Sequence, residues 1–272
     1  MAAEAQGTPT AAAVSSRPTS RLVIDKATKI YQTATGPLLA LDSFSAEIHE
    51  GEFVCVVGPS GCGKTTLLWA LSGLHPLTSG SVMLDGTPVK GSRPEIGMVF
   101  QEANLLPWRN LMKNILFPFE IKRLDATRYR TRIQHLLETV GLAGFENKFP
   151  RELSGGMQQR ASLVRCLSFD PSVMLLDEPF GALDAFTRDE MNLLLLKLWS
   201  EQRKTIVFVT HSIVEALFMA DRILVMTPRP GRLAREVVVD LPRPRTLDMQ
   251  SSPYFVETAR EIKDLIHASV KK

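Results

Sequence analysis

Phe53-Val-Cys-Val-Val57 runs without a break into Gly58-Pro-Ser-Gly-Cys-Gly-Lys-Thr-Thr66, and Leu67-Leu-Trp-Ala-Leu-Ser72 follows. A short, continuous apolar run has the pattern of a strand buried on both faces. The stretch after the loop reads as a helix. Between them, Gly58 to Thr65 fits G-x-x-x-x-G-K-[ST] in the strand–loop–helix context that gives this motif its meaning. Glycines at Gly58, Gly61 and Gly63, set among Pro59, Ser60, Cys62 and Lys64, let successive backbone N–H groups curl inward around phosphate oxygens. The start of the following helix adds partial positive charge. Lys64 is expected to reach the outer phosphates, with the Thr65 hydroxyl on Mg²⁺ and Thr66 beside it. An accidental match of this kind is expected in about one chain of this size in a hundred. These residues therefore predict a nucleoside phosphate site.

Outward from this loop, further apolar runs at residues 172–176, 205–209 and 222–226 read as buried strands with helices between them, which predicts a parallel α/β core. Residues 22–31 and 43–49 read as early strands separated by a polar turn, and residues 81–85 and 232–240 as two more. Helix-like segments at 110–124, 127–140 and 155–168 predict a helical insertion at about residues 103–168. Residues 254–268 read as a final amphipathic helix, beyond a Pro-rich connector. Val173-Met-Leu-Leu-Asp-Glu178 places two carboxylates at the end of a buried strand, the edge where ligands bind in open α/β sheets. Asp177 is expected to hold Mg²⁺ through water and Glu178 to act as general base on the attacking water.

Composition narrows the class without naming a chemistry. The chain has 272 residues, 44% hydrophobic and 22% charged, with 32 Lys+Arg against 29 Asp+Glu. That balance argues against a wholly disordered chain, and a net charge of +3 gives no reason to expect nucleic acid as a partner. The three cysteines, Cys55, Cys62 and Cys166, are too widely spaced for a disulfide framework or a zinc site. No apolar run is long enough to span a membrane. Residues 1–20, rich in Ala, Thr, Ser and Pro, lack the basic start and apolar core of a secretory signal and are expected to form a disordered tail.

Leu153-Ser-Gly-Gly-Met-Gln-Gln-Arg160 carries a resemblance to one family, the nucleotide-binding subunit of ABC transporters. The family's motifs occur in its order over roughly residues 21–270. Gly58 to Thr66 resembles its Walker A and Val173 to Glu178 its Walker B. Gln101 in Val99-Phe-Gln-Glu102 resembles the Q-loop glutamine, Gly181-Ala-Leu-Asp184 the D-loop, His211 the switch histidine, and Tyr31 the aromatic that stacks on adenine. The resemblance implies a P-loop cassette: a RecA-like parallel core with an antiparallel β subdomain and a helical subdomain. It implies Mg²⁺-dependent ATP hydrolysis by a head-to-tail homodimer. In such a pair Ser154, Gly155 and Gly156 face the γ-phosphate bound by the partner's loop, and Asp184 orders the interface. Gln101 would ligate Mg²⁺, and His211 would hydrogen-bond the γ-phosphate. The fifth signature position, commonly Gln, is Met157 here, which keeps the backbone donors and loses a polar side chain.

Ala103-Asn-Leu-Leu-Pro-Trp108, with Thr227-Pro-Arg-Pro-Gly-Arg232 and Asp240-Leu-Pro-Arg-Pro-Arg245, is similar to the nitrate/sulfonate/taurine importer group. That resemblance implies a separate integral-membrane permease docking near Gln101–Trp108, an extracytoplasmic solute-binding protein, and a peripheral position on the cytoplasmic face of the membrane. Leu105, Leu106 and Trp108 would line the docking groove, or else seal the insertion's own core. The alternative function is a non-transport ABC ATPase acting on DNA or ribosomes. The short spacing between the phosphate loop and the signature, without sustained heptads, disfavours it.

Overall fold

The computed structural model describes residues 19–270, so nearly all of the expected N-terminal tail lies outside the described residues. A six-stranded sheet forms the centre, in the order β10(Leu233–Val238), β9(Arg222–Met226), β3(Phe53–Val57), β8(Thr205–Val209), β7(Val173–Asp177), β6(Ile96–Val99). Its neighbours are parallel, except that β10 returns antiparallel to β9 at the edge. Every residue of β3, β7 and β8 is buried. The side chains alternate between two cores, as a strand's period of two requires. Phe53, Cys55, Val57, Met174, Leu176, Ile206 and Phe208 face one core, and Val54, Val56, Val173, Leu175, Val207 and Val209 the other. Continuous apolar sequence is thus explained by cover on both faces.

The second core is closed by a smaller antiparallel sheet, β2(Gly36–His49), β1(Ser20–Thr33), β4(Ser79–Leu84) and β5(Thr87–Pro88), and by α1(Lys64–Ser72) between the sheets. Strand β2 starts seven residues earlier than the apolar pattern suggested, since its half-exposed first residues pair with β1 along a long ribbon. Strand β6 was not legible because its four residues include Gly97. A Cβ there would meet Cys166 Sγ at 2.5 Å, so the close approach requires glycine.

Helices α2(Leu111–Lys122), α3(Arg130–Thr139) and α4(Gly155–Leu167) stand between β6 and β7 in sequence, where the insertion is expected. Ile115, Phe119, Ile133, Leu136, Leu137 and Val164 pack together in the first core. Each such fully buried side chain contributes about 1.5–3 kcal/mol against exposure. The polar Asn114 is fully buried in this region and shapes the preceding loop. Its Oδ1 accepts from Leu106 N at 2.7 Å, and its Nδ2 donates to the carbonyls of Leu106, Arg109 and Asn110.

α5(Ala185–Gln202), α6(Ile213–Met219) and α7(Pro253–Val270) cover the outer side of the central sheet. The Pro-rich connector caps α6. Arg243 donates to Met219 O and Arg245 to Ala220 O, each at 2.8 Å, placing cations at a helix C-terminus. Among the described residues, no helix is long and apolar enough to cross a membrane.

Candidate nucleotide site

The loop after β3 is built as its glycines dictate. Gly63 takes φ of +107°, and a Cβ on it would come within 2.9 Å of Ala40 O, so no larger residue fits. Gly63 is the N-cap of α1, and the helix start opens onto a cleft of about 300 Å³. Tyr31, Ser60, Gly61, Gly63, Lys64, Thr65, Thr66, Glu178 and Arg229 line this cleft, with Leu38 and Ala40. Lys64 is 6% exposed, and its Nζ donates to Gly58 O at 3.0 Å and Pro59 O at 3.2 Å. The ammonium is thus folded against the loop's own carbonyls. A glycine-rich loop, a helix N-terminus and one lysine on a single cleft are suited to a phosphate chain.

Strand β7 brings the carboxylates to the same edge, as parallel pairing with β8 next to β3 requires. Asp177 Oδ1 accepts the Thr65 hydroxyl at 3.1 Å. Burial pushes the Asp177 carboxyl up from its ordinary range, the Thr65 hydrogen bond opposes this, and the nearby Glu178 charge adds to it. A hydroxyl and a carboxylate side by side are hard oxygen donors of the kind a small divalent cation takes. Glu178 holds φ of +44°, uncommon for a residue with a Cβ, while its N–H bonds Val209 O at 2.9 Å. The strained backbone leaves its side chain in the cleft, where Oε2 lies 2.9 Å from His211 Nδ1. His211 comes from the end of β8, and its side chain is 56% exposed.

Other expected residues lie apart from this cluster. Gln101 and Gly155 line a separate groove with Glu102, Leu105, Gln158 and Leu183. Ser154 caps α4 by accepting Met157 N–H at 3.3 Å, and Asp184 caps α5 by accepting Thr187 N–H at 3.1 Å. Both Asp184 oxygens are held by Thr187, which keeps that carboxyl below its usual range. The Gln101 loop is tied to α4. Gln159 donates to Gln101 O, and Arg165 to Ala103 O and Asn104 O, all at 2.7 Å. Leu105 packs on the core and Leu106 is half-buried, whereas Trp108 is 72% exposed. The loop's apolar residues therefore divide between sealing the core and facing outward.

One residue of the cleft, Arg229, and one partner of Tyr31, His75, were not legible as such. Arg229 lines the cleft from the turn after β9, and its guanidinium would lie 3.7 Å from a Cβ on Gly61. His75 accepts or donates a hydrogen bond with the Tyr31 hydroxyl at 3.3 Å. His75 belongs to no motif, and the Thr227–Arg232 stretch that holds Arg229 carries no local sign of the cleft. Only the long-range return of the chain beside the phosphate loop, with Gly231 N–H on Ala40 O at 2.9 Å, brings Arg229 there.

Comparison with known proteins agrees with this geometry. The family model described as ABC transporter matches residues 41–181. A taurine import ATP-binding protein of Ruegeria pomeroyi is 50% identical, over 72% of this chain and 74% of its own. A nitrate import ATP-binding protein of Synechococcus elongatus is 41% identical, over 92% of each chain. A solved dimeric ATP-binding cassette in a post-hydrolysis state, bound to ADP and Pi, superposes with TM-score 0.71 at 33% identity, covering 81% of this chain and all of that one. The P-loop cassette fold, the ATP site and the sequence likeness converge: the chain belongs to the ABC transporter family, as one of its ATP-hydrolysing cassettes.

Proposed function

We propose that this chain is the motor subunit of an importer for a small anionic or zwitterionic solute, of the nitrate, sulfonate or taurine kind. Two copies would act head to tail on a separate membrane permease, at the cytoplasmic face, with a solute-binding protein on the far side. The observation that carries this reading is the division of the phosphate-binding elements. Lys64, Thr65 and Glu178 share one cleft, while Gly155, in the signature, lines another with Gln101. One chain thus holds two half-sites that a second copy would complete. The names of the relatives support the importer class.

In this reading Tyr31 stacks on the adenine, and the loop from Gly58 to Thr66 holds the phosphates through backbone N–H groups such as those of Ser60 and Gly61, while Cys62 N–H donates to Pro59 O at 3.2 Å and fixes the loop's curl. Lys64 leaves its loop carbonyls for the β- and γ-phosphate oxygens, exchanging neutral acceptors for charged ones. Thr65 and Asp177 fit Mg²⁺ by their oxygen chemistry and by the burial that leaves the Asp177 charge in want of a cation; Gln101, which lines the separate groove, would join them only in the nucleotide-bound pair. When bound, Mg²⁺ would neutralise charge on the phosphates. Glu178 orients water and takes its proton, and His211 holds Glu178 and turns its ring to the γ-phosphate. Ser154, Gly155 and Gly156 present the start of α4 to the partner's γ-phosphate, and Asp184 orders the interface.

Exposed Trp108, on a loop bonded to α4 through Gln159 and Arg165, would carry the permease contact to the signature helix. The test is uptake of labelled taurine or nitrate into vesicles holding the chain with its genomic-neighbour permease. ATP-dependent uptake, lost with Lys64→Ala, is expected. ATP hydrolysis with no uptake of any such solute would contradict the importer class.

A further inference from the structure

Beside α5 lies a cavity of about 480 Å³ that shares no lining residue with the nucleotide cleft. Leu193, Leu196, Lys197 and Ser200 recur at helical spacing and so form one wall from a single face of α5. The Pro-rich connector forms another, through Arg243, Pro244 and Arg245. Trp199 and Arg203, one turn apart at the end of α5, complete the lining. A space of this size, mostly apolar with a few polar groups, is in the range of roughly 300–1,000 Å³ that small-molecule sites occupy.

The charges around this cavity do not balance. Lys197, Arg203, Arg243 and Arg245 line it, and no carboxylate does. Of the four cations, only Arg243 is ion-paired among the described residues, to Asp221 at 2.7 Å. Arg203 lies 4.6 Å from the centre of the Trp199 ring and Arg243 4.1 Å. Stacking engages the face of a guanidinium and leaves the N–H fork at its edge able to donate. Arg245 is 6% exposed and donates to Pro242 O and Ala220 O, but its Nε–H has no partner among the described residues. The Trp199 indole N–H has none either. Burial, with the like charge of Arg243, pushes the Arg245 guanidinium down to about 10. Free donors and unpaired cations thus collect at one cavity, and what is missing is an acceptor that carries negative charge.

We propose that this cavity is a second ligand site, separate from the nucleotide cleft, for a compact organic dianion. Its oxyanion group is held by the Arg203 fork and the Lys197 ammonium, both exposed and unpaired, and its carbon part lies against Leu193, Leu196 and Pro244. Arg245, fixed by its two carbonyls, supplies buried positive potential. The site is independent of the importer reading and of the transported solute. Its place in the fold ties it to the motor. Helices α5 and α6 start at the nucleotide edge, α5 at its cap Asp184 and α6 at its cap Ser212 beside His211. Both end at this cavity, α5 with Arg203 and α6 at Ala220, whose carbonyl Arg245 holds. A bound dianion would therefore join the connector to the end of α5.

Phenyl phosphate, added to the full chain at pH 8, is the probe. The chain has three tryptophans, so Trp69→Phe and Trp108→Phe assign the Trp199 indole N–H signal in the NMR spectrum by elimination. Phenyl phosphate is expected to move that signal saturably. Inorganic phosphate, which leaves the apolar wall uncovered, should bind about tenfold more weakly or worse. Lys197→Glu changes an exposed side chain and supplies the cavity with a carboxylate of its own, so it should weaken the probe by about tenfold or more. Lys64→Ala, which disables the phosphate loop, should bind the probe as the unaltered chain does. No saturable movement of the Trp199 signal would overturn the proposal, and so would undiminished affinity in Lys197→Glu. Equal affinity for inorganic phosphate would overturn the assignment to an organic anion. Movement lost in Lys64→Ala would place the probe in the nucleotide cleft and remove the second site.

Discussion

Glu178 Oε2 and His211 Nδ1 lie 2.9 Å apart although 33 residues separate them in the chain. Each stands just past the C-terminal end of a fully buried strand, β7 or β8, and those strands are parallel neighbours, so the pairing follows from the register Asp177↔Val209. The acid–base pair is therefore a product of the sheet. Glu178 N–H donates to Val209 O at 2.9 Å, which fixes the backbone from which its carboxylate reaches His211.

Among the described residues Lys64 is the only lysine lining the cleft, and two loop carbonyls hold its ammonium. Lys64→Ala is expected to weaken ATP binding at least a hundredfold by calorimetry, the loss of about 3 kcal/mol that a charge-assisted contact to phosphate can carry. Unchanged affinity would remove the lysine from the site.

Asp177 trades stability for function. Its carboxyl is pushed up by burial, so the folded chain binds a proton more tightly than the unfolded chain does. Below the unfolded pKa both states are protonated and the group has no effect. As pH rises through the window up to the raised folded pKa, stability falls, and above that window the full penalty remains. Asp177→Asn should therefore raise the melting temperature of the nucleotide-free chain at pH 8, with little change near pH 3, while abolishing hydrolysis. A lower melting temperature at pH 8 would contradict this account.

Arg229 adds a second cation to the cleft, close to Gly61. Arg229→Ala should weaken ATP binding by about fivefold, on the order of 1 kcal/mol, with kcat at saturation little changed. Equal Kd values for the two proteins would show that this guanidinium stays clear of the nucleotide.

The thiols should be inert while the chain is folded. Cys55, Cys62 and Cys166 are all buried, and desolvation raises each of them, Cys166 to about 12. Thiolate is the reactive form, so at pH 8 the native chain should react with Ellman's reagent at well under one thiol per chain within minutes. All three should react once the chain is unfolded. Prompt labelling of native Cys62 would show that the phosphate loop opens.

The fold's centre was legible because its strands are buried on both faces and so read as nearly unbroken apolar runs: residues 53–57, 172–176 and 205–209. The phosphate loop was legible because its chemistry is contiguous. The edge strand β6 was not, since four residues with a glycine carry too little pattern, and the first half of β2 was not, since it is half-exposed. Arg229 reaches the cleft, and His75 the Tyr31 hydroxyl, only through long-range packing. The dual fate of the 103–108 loop, with Leu105 inward and Trp108 outward, likewise depends on Asn114, which looks from sequence like an ordinary surface residue of a helix.

The central claim is that this chain hydrolyses ATP in a site that two copies complete, with Glu178 as the base. Sedimentation of Glu178→Gln with MgATP, alongside its phosphate release, tests this most directly. The account predicts a stable dimer retaining about two unhydrolysed ATP per pair, with turnover reduced at least a hundredfold, in the range that loss of a general base produces. A Glu178→Gln chain that stays monomeric with ATP bound, or that releases phosphate at the wild-type rate, would contradict it.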